Sequence, residues 1–293
     1  MLNNLLKIGF KYFQSLDRDK ALKRGEQIGS LLYKIGYRKD VLQKNFEIAF
    51  PELTPEERLQ LVKKTLQFMG INLVEFARIP LYVKTNQVLD LVNLADGKEI
   101  LDKYNGKGAI LITGHIGNWE ITNVALAGYG YKIVSLAYRQ KNKEINELVN
   151  NIRTSLGTEI IYHDQPLKKM LQAIREGKIL AFLADQNALR HRGVFVDFFG
   201  LPASTISFPA KLALKYRIPI IFGYNHFDEN AKKYNAYFKE IDISKFDKGD
   251  IKGLTQAFTK EIEKAIRKKP HQYLWTHKRW KTRPEGEEEN IYK

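Results

Sequence analysis

The chain is most constrained at residues 108–120, where the apolar run Gly-Ala-Ile-Leu-Ile-Thr passes directly into Gly-His-Ile-Gly-Asn-Trp-Glu. A short apolar run bounded by glycines reads as a buried strand, and Asn118 ahead of Trp119 and Glu120 reads as the cap of a helix. The turn between them carries His115 and, five residues on, Glu120. Residues five apart on one helix do not face each other, so the turn must bring this pair together. Gly114 and Gly117 are expected to supply backbone angles closed to other residues. With Asn118 as N-cap, Glu120 falls in the first helical turn, where the dipole favours a carboxylate and the side chain can point back at His115. A carboxylate on one ring nitrogen fixes the tautomer and leaves the other nitrogen free to take a hydroxyl proton. The free amides of the same helix start are candidates for holding an oxyanion. A histidine near a glutamate also occurs as a surface pair or a satisfied buried group, and the residues alone leave both readings open.

From Gly108 onward, strand-like and helical stretches alternate. The strand-like runs are Ala109–Thr113, Ile133–Tyr138, Glu159–Tyr162, Ile179–Ala184 and Pro219–Tyr224. Helical stretches near 118–128, 142–156, 165–176 and 206–216 lie between them, with a last helix near 250–268 and a short extended piece at Gln272–Trp275. Such alternation argues for an α/β fold, a largely parallel sheet flanked by helices. Tyr234–Ile241 alternates apolar with polar residues and reads as an edge strand.

Residues 1 to about 105 read as helical, docked on the α/β body because no linker separates them. Leu31, Leu32 and Ile35 make an apolar stripe. Thr54-Pro55-Glu56-Glu57 is a capped helix start, continued through about Phe76 by a core stripe of Leu59, Val62, Leu66, Met69 and Leu73. The expected organisation is a helical N-terminal extension at 1–105, an α/β domain at 106–284 and a polar tail at 285–293.

The formal charge of +15 bears on partners. Such a chain favours polyanions: nucleic acid, anionic headgroups, phosphorylated substrates or an acidic protein. The charge is clustered, with eight Lys or Arg and no acidic residue between Lys264 and Arg283, and ten basic against four acidic residues in 1–44. No apolar stretch is long enough to span a bilayer. The opening segment mixes Leu5, Leu6, Ile8, Phe10, Tyr12 and Phe13 with Lys7 and Lys11, which suits either an interfacial anchor or a short helix packed on the domain. Trp275, Lys278, Arg279, Trp280, Lys281 and Arg283 interleave indoles with cations, as membrane interfaces do. Nucleic acid is not expected, because no DNA- or RNA-binding motif accompanies the charge. Cysteine is absent, which removes disulfides and thiolate nucleophiles and fits a reducing compartment.

Several strand ends carry polar groups. Asp185 and Gln186 follow one buried run and Arg139 follows another, so three strand ends converge on one edge. Arg139 is a candidate for binding phosphate or locking Glu120. Arg190, His191 and Arg192 make a basic loop able to clamp phosphate oxygens. Phe195, Phe198 and Phe199 fit either an acyl-tunnel wall or a core. His271 and His277 lack the companions of a zinc site.

The heptapeptide at 114–120 resembles the His-x4-Asp/Glu block of the lipid A biosynthesis lauroyl and myristoyl acyltransferases, within the wider glycerolipid acyltransferase superfamily. Ala137-Tyr-Arg-Gln-Lys-Asn142 is similar to that family's Tyr-Arg-Pro block, with Gln140 where proline is common. Ala184-Asp-Gln186 with Gly193–Gly200, Tyr273–Pro284 and Phe46–Glu52 resemble further blocks in the same order.

The resemblance implies acyl transfer from acyl carrier protein, or less often coenzyme A, to a hydroxyl of a lipid acceptor such as a lipid A precursor. A lysophospholipid or other glycolipid is the alternative acceptor, and a non-catalytic basic membrane-surface protein the alternative of another class. His115 is implied as general base and Glu120 as its orienting partner. Asn118, Arg139, Asp185, Gln186, Arg190 and Arg192 are the substrate-binding candidates. Neither metal nor resident cofactor is implied. Family members often begin with a longer apolar anchor, so the shorter one here points to peripheral attachment to anionic lipid, on the cytoplasmic face of the bacterial inner membrane.

Overall fold

The computed structural model describes the backbone of residues 2–287 and 291–292, with side chains from Leu6 onward. Leu5 of the opening segment and residues 288–290 and 293 of the polar tail therefore lie outside the described residues or side chains. In chain order the first third holds helices α1 (Leu2–Ser15), α2 (Arg18–Lys34), α3 (Lys39–Ala49), α4 (Pro55–Lys84) and the short α5 (Val88–Leu91), then strand β1 (Val92–Asp96) and helix α6 (Lys98–Tyr104). The body continues with β2 (Ala109–Thr113), α7 (Trp119–Gly128), β3 (Ile133–Ala137), α8 (Lys143–Arg153), β4 (Glu159–Tyr162), α9 (Leu167–Arg175) and β5 (Ile179–Leu183). A hairpin of β6 (Gly193–Phe198) and β7 (Leu201–Ile206) follows, then α10 (Phe208–Tyr216), β8 (Ile220–Asp228), β9 (Lys233–Ile241) and α11 (Ile251–Lys268).

Seven strands form one sheet in the order β1-β9-β8-β2-β5-β3-β4. The run β8-β2-β5-β3-β4 is parallel throughout, while β9 is antiparallel to β8 and parallel to β1. The expected α/β fold with a largely parallel sheet is therefore observed. Alternate side chains of the apolar strands feed two cores, as burial on both faces requires. Ile110, Ile112, Leu180 and Phe182 join the core under α9, α10 and α11; Ala109, Leu111, Ile121 and Val124 join the one under α7.

Several expectations are corrected. β9 is an inner strand, because β1 covers its outer side. β1 lies inside the segment read as helical; its alternation was too short and polar to stand out. α4 runs on through Pro80 to Lys84, started by the expected capping box: Glu57 N–H donates to Thr54 Oγ1 (3.2 Å) and Thr54 N–H to Glu57 Oε2 (2.8 Å). Leu31 on α2, Ile35 just after it and Leu73 on α4 are exposed, whereas Val62 and Leu66 are core.

The terminal segments also differ from a membrane-interface reading. α1 packs on α4 through Phe10 against Phe76 and a Gln14 Nε2 bond to Ala77 O (2.7 Å), leaving Ile8 and Tyr12 exposed. Trp275, Arg279 and Trp280 are wholly or almost wholly buried, and Arg283 nearly so. Arg279 Nη1 donates to Ser204 O (2.8 Å) and Arg283 Nη1 to Pro202 O (2.5 Å), so these cations satisfy carbonyls of the hairpin rather than headgroups. Phe198 and Phe199 pack on Trp280 and Trp275, which makes them core and not an acyl-tunnel wall. No helix among the described residues is long and apolar enough to cross a membrane.

Candidate active site

β2 and β5 are neighbours paired in register up to Thr113 and Leu183. Two residues beyond each pair come His115 and Asp185, at the C-terminal edge of the sheet. The Asp185 carboxylate accepts from the His115 backbone N–H (3.0 Å) and lies against Nδ1 (Oδ1 2.9 Å, Oδ2 3.1 Å). Asp185 is 1% exposed and His115 14%. Burial pushes the Asp185 carboxyl up, but the His115 charge and hydrogen bonds outweigh it and hold the group below the usual carboxylate range. In the neutral ring, an ionised carboxylate at Nδ1 favours the proton there and leaves the lone pair on Nε2.

The turn is shaped for this contact. Gly117 has φ +64, and a Cβ there would collide with Asn225. Gly114 does not have the left-handed backbone expected of it; a Cβ there would instead press on Asp185 Cβ and Cγ at 3.3 Å. Gly117 N–H donates to Gln272 O (2.8 Å), Asn118 N–H to Asn225 Oδ1 (2.9 Å) and Ile121 N–H to Asn118 Oδ1 (3.0 Å). Those three amides are thus committed to the fold and are not free to hold an oxyanion.

Glu120 does not orient His115. Its Oε2 accepts from Arg153 Nε on α8 (2.8 Å), its Oε1 from Arg153 Nη2, and Trp119 Nε1 sits 3.2 Å from Oε1. The arginine that locks the carboxylate is Arg153, and not Arg139, the sequence candidate for that role. Both Glu120 and Arg153 border the cavity beside His115. Trp119 packs edge-on against the His115 ring, with centroids 4.6 Å apart.

That cavity measures about 660 Å³ and reaches both faces of the sheet around the strand ends. Under α7 it is walled by Leu111, Leu126, Ala181, Gly223 and Phe238; towards α9 and α10 it meets Met170, Phe182, Phe208, Arg192 and Lys211. Gln186 borders it, with Nε2 3.4 Å from His115 Nε2, and His115 itself borders it.

Of the other sequence candidates, Asn118 is buried and serves as helix cap. Arg139 turns to Asp164 (3.3 Å) and lies 3.8 Å over the Tyr162 ring, while its neighbours Tyr138 and Gln140 border the cavity. Arg190 donates to Arg283 O (2.8 Å), whereas Arg192 borders the cavity. Sequence reasoning missed Arg153, which has no spacing signal, and the C-terminal segment that braces both loops. There Leu274 N–H donates to His115 O (3.1 Å), Tyr273 Oη to Asp185 O (3.2 Å), and Asn187 N–H to His277 Nε2 (3.0 Å).

A largely parallel sheet whose strand ends bring an imidazole and a carboxylate together beside a largely apolar cavity makes a candidate active site for a ligand with hydrocarbon. Comparison with known proteins agrees: residues 4–282 match the bacterial lipid A biosynthesis acyltransferase family, and the chain belongs to that family. It is therefore an acyltransferase. It is 24% identical over 282 residues to lipid A biosynthesis acyltransferase 2 of Shigella flexneri, covering 95% of this chain and 88% of the relative. It is 23% identical over 252 residues to the lipid A biosynthesis lauroyltransferase of Escherichia coli, covering 85% and 81%. A 25% match over 179 residues reaches the phosphatidylinositol mannoside acyltransferase of Mycobacterium tuberculosis, covering 60% and 55%.

Proposed function

We propose that the chain transfers a fatty acyl group from an acyl carrier protein thioester to a hydroxyl of a lipid A precursor, working as a peripheral enzyme on the cytoplasmic face of the bacterial inner membrane. The observation that carries this reading is the His115–Asp185 pair, whose imidazole borders the largely apolar cavity. His115 Nε2 takes the acceptor hydroxyl proton as that oxygen attacks the thioester carbonyl, displacing the Gln186 amide from the lone pair. Asp185 holds the tautomer and stabilises the imidazolium. The tetrahedral oxyanion collapses, the carbon–sulfur bond breaks, and the proton passes from His115 to the departing thiolate. Arg153, fixed by Glu120, supplies positive charge to the wall where the oxyanion forms. The proton transfer is typically worth about 10²–10⁴-fold in rate.

The match to a phosphatidylinositol mannoside acyltransferase favours one second reading, another glycolipid as acceptor. Incubating the purified enzyme with acyl carrier protein or coenzyme A thioesters of graded length, and either a lipid A precursor or a phosphatidylinositol mannoside, tests both. The expected product is the precursor one acyl chain heavier, made from the carrier protein thioester; product only with the other acceptor would replace the first reading by the second.

A further inference from the structure

We propose that the loops leaving β3, β4 and β5 form the surface on which this protein sits on an anionic lipid bilayer. The three strands are adjacent and parallel, so residues 138–142, 163–168 and 184–192 emerge side by side at one edge. They contribute to the cavity wall, which Tyr138, Gln140, His163, Leu167, His191 and Arg192 border.

These loops, with the first turn of α9, carry large apolar side chains in water. Tyr138 is 59% exposed, Leu189 57% and Leu167 38%. Around them stand Arg139, Lys141, Lys168, Arg190 and Arg192. Of the acidic residues in the same stretches, Asp164 is paired with Arg139, and Asp185 is buried against His115. Apolar side chains that insert and cations that meet phosphates are the combination an anionic interface selects. An acidic protein would match the charge but leaves three scattered apolar side chains on separate loops without a reason. The ends of the chain are weaker sites, because the C-terminal indoles are core and α1 spends Phe10 on α4.

The inference deepens the acyltransferase reading and rests on it for its purpose: a lipid acceptor reaches His115 from the bilayer without its tails crossing water. The binding itself is read without chemistry. Wild-type protein, Leu189→Ser/Lys168→Glu, Ile8→Ser/Tyr12→Ser and His115→Ala are sedimented with vesicles of phosphatidylcholine, with and without phosphatidylglycerol. Leu189 and Lys168 both lie outside the cavity wall. The loop variant should bind the phosphatidylglycerol vesicles about tenfold more weakly or worse, since each basic charge near such a surface is worth roughly fivefold. The α1 and His115 variants should bind as wild type, and the loop variant should keep its melting temperature and its turnover on detergent-dispersed acceptor. Unchanged vesicle binding by the loop variant, or loss confined to the α1 variant, overturns the assignment. Lost capture of an acidic carrier protein with vesicle binding intact gives the surface to a protein instead. Vesicle binding by a wild-type protein that transfers no acyl group would remove the enzymatic reading and leave the surface standing.

Discussion

Asp185 reaches His115 because each stands two residues past the paired ends of adjacent strands, Leu183 and Thr113, and the carboxylate meets both the backbone N–H and Nδ1. The contact spans 70 positions of sequence and is set by strand register, not by the local turn.

Replacing Asp185 by Asn keeps the shape and removes the charge that stabilises an imidazolium. Steady-state kinetics should show kcat lowered roughly 10²–10⁴-fold with KM little changed. A variant with wild-type kcat would leave His115 without need of that carboxylate.

Glu120 and Arg153 should behave as a coupled pair. Both side chains are mostly buried, at 14% and 20% exposure, so Glu120→Gln strands a cation and should cost about 1–3 kcal/mol in urea unfolding. Added to Arg153→Gln, it should cost much less than on its own. Additive losses would mean that the two side chains do not act together.

Trp280→Ala distinguishes a core indole from an interfacial one. Emptying a fully buried site should lower stability by roughly 3–5 kcal/mol, read by denaturant midpoint, without changing vesicle partition. Weaker membrane binding at unchanged stability would restore an interfacial role.

Acid should unfold the protein in two stages. Burial pushes both His277 and His226 down to about 4 from an ordinary value of 6.5. The unfolded chain therefore binds more protons below 6.5, so their contribution is complete above that pH and falls as the medium is acidified towards 4. The slope is roughly 1 kcal/mol per pH unit for each group. Below 3.8 the lowered Asp185 adds a further loss as pH falls through its folded value. His277→Gln should flatten the first stage; a slope identical to wild type would show that this histidine is not held neutral.

The sequence marked β2, β4 and most of α7–α11 closely, because apolar runs and caps are local signals. It also placed His115, Asp185 and Gln186 on one edge. It gave His115 the wrong carboxylate, since Glu120 is near in sequence while Asp185 becomes near only once β2 and β5 pair. The β6–β7 hairpin passed unseen although Phe199 and Gly200, both left-handed at φ 56 and 80, mark its turn. The Trp-Arg segment at the C-terminus looked interfacial because composition cannot tell a cation bonded to buried carbonyls from one facing phosphate.

The most direct measurement is the nitrogen NMR spectrum of the His115 ring in wild type, Asp185→Asn and Glu120→Gln. At a pH where the ring is neutral, its proton should sit on Nδ1 in wild type and in Glu120→Gln, with that tautomer preference lost in Asp185→Asn. A ring disturbed by Glu120→Gln and indifferent to Asp185→Asn would contradict this prediction.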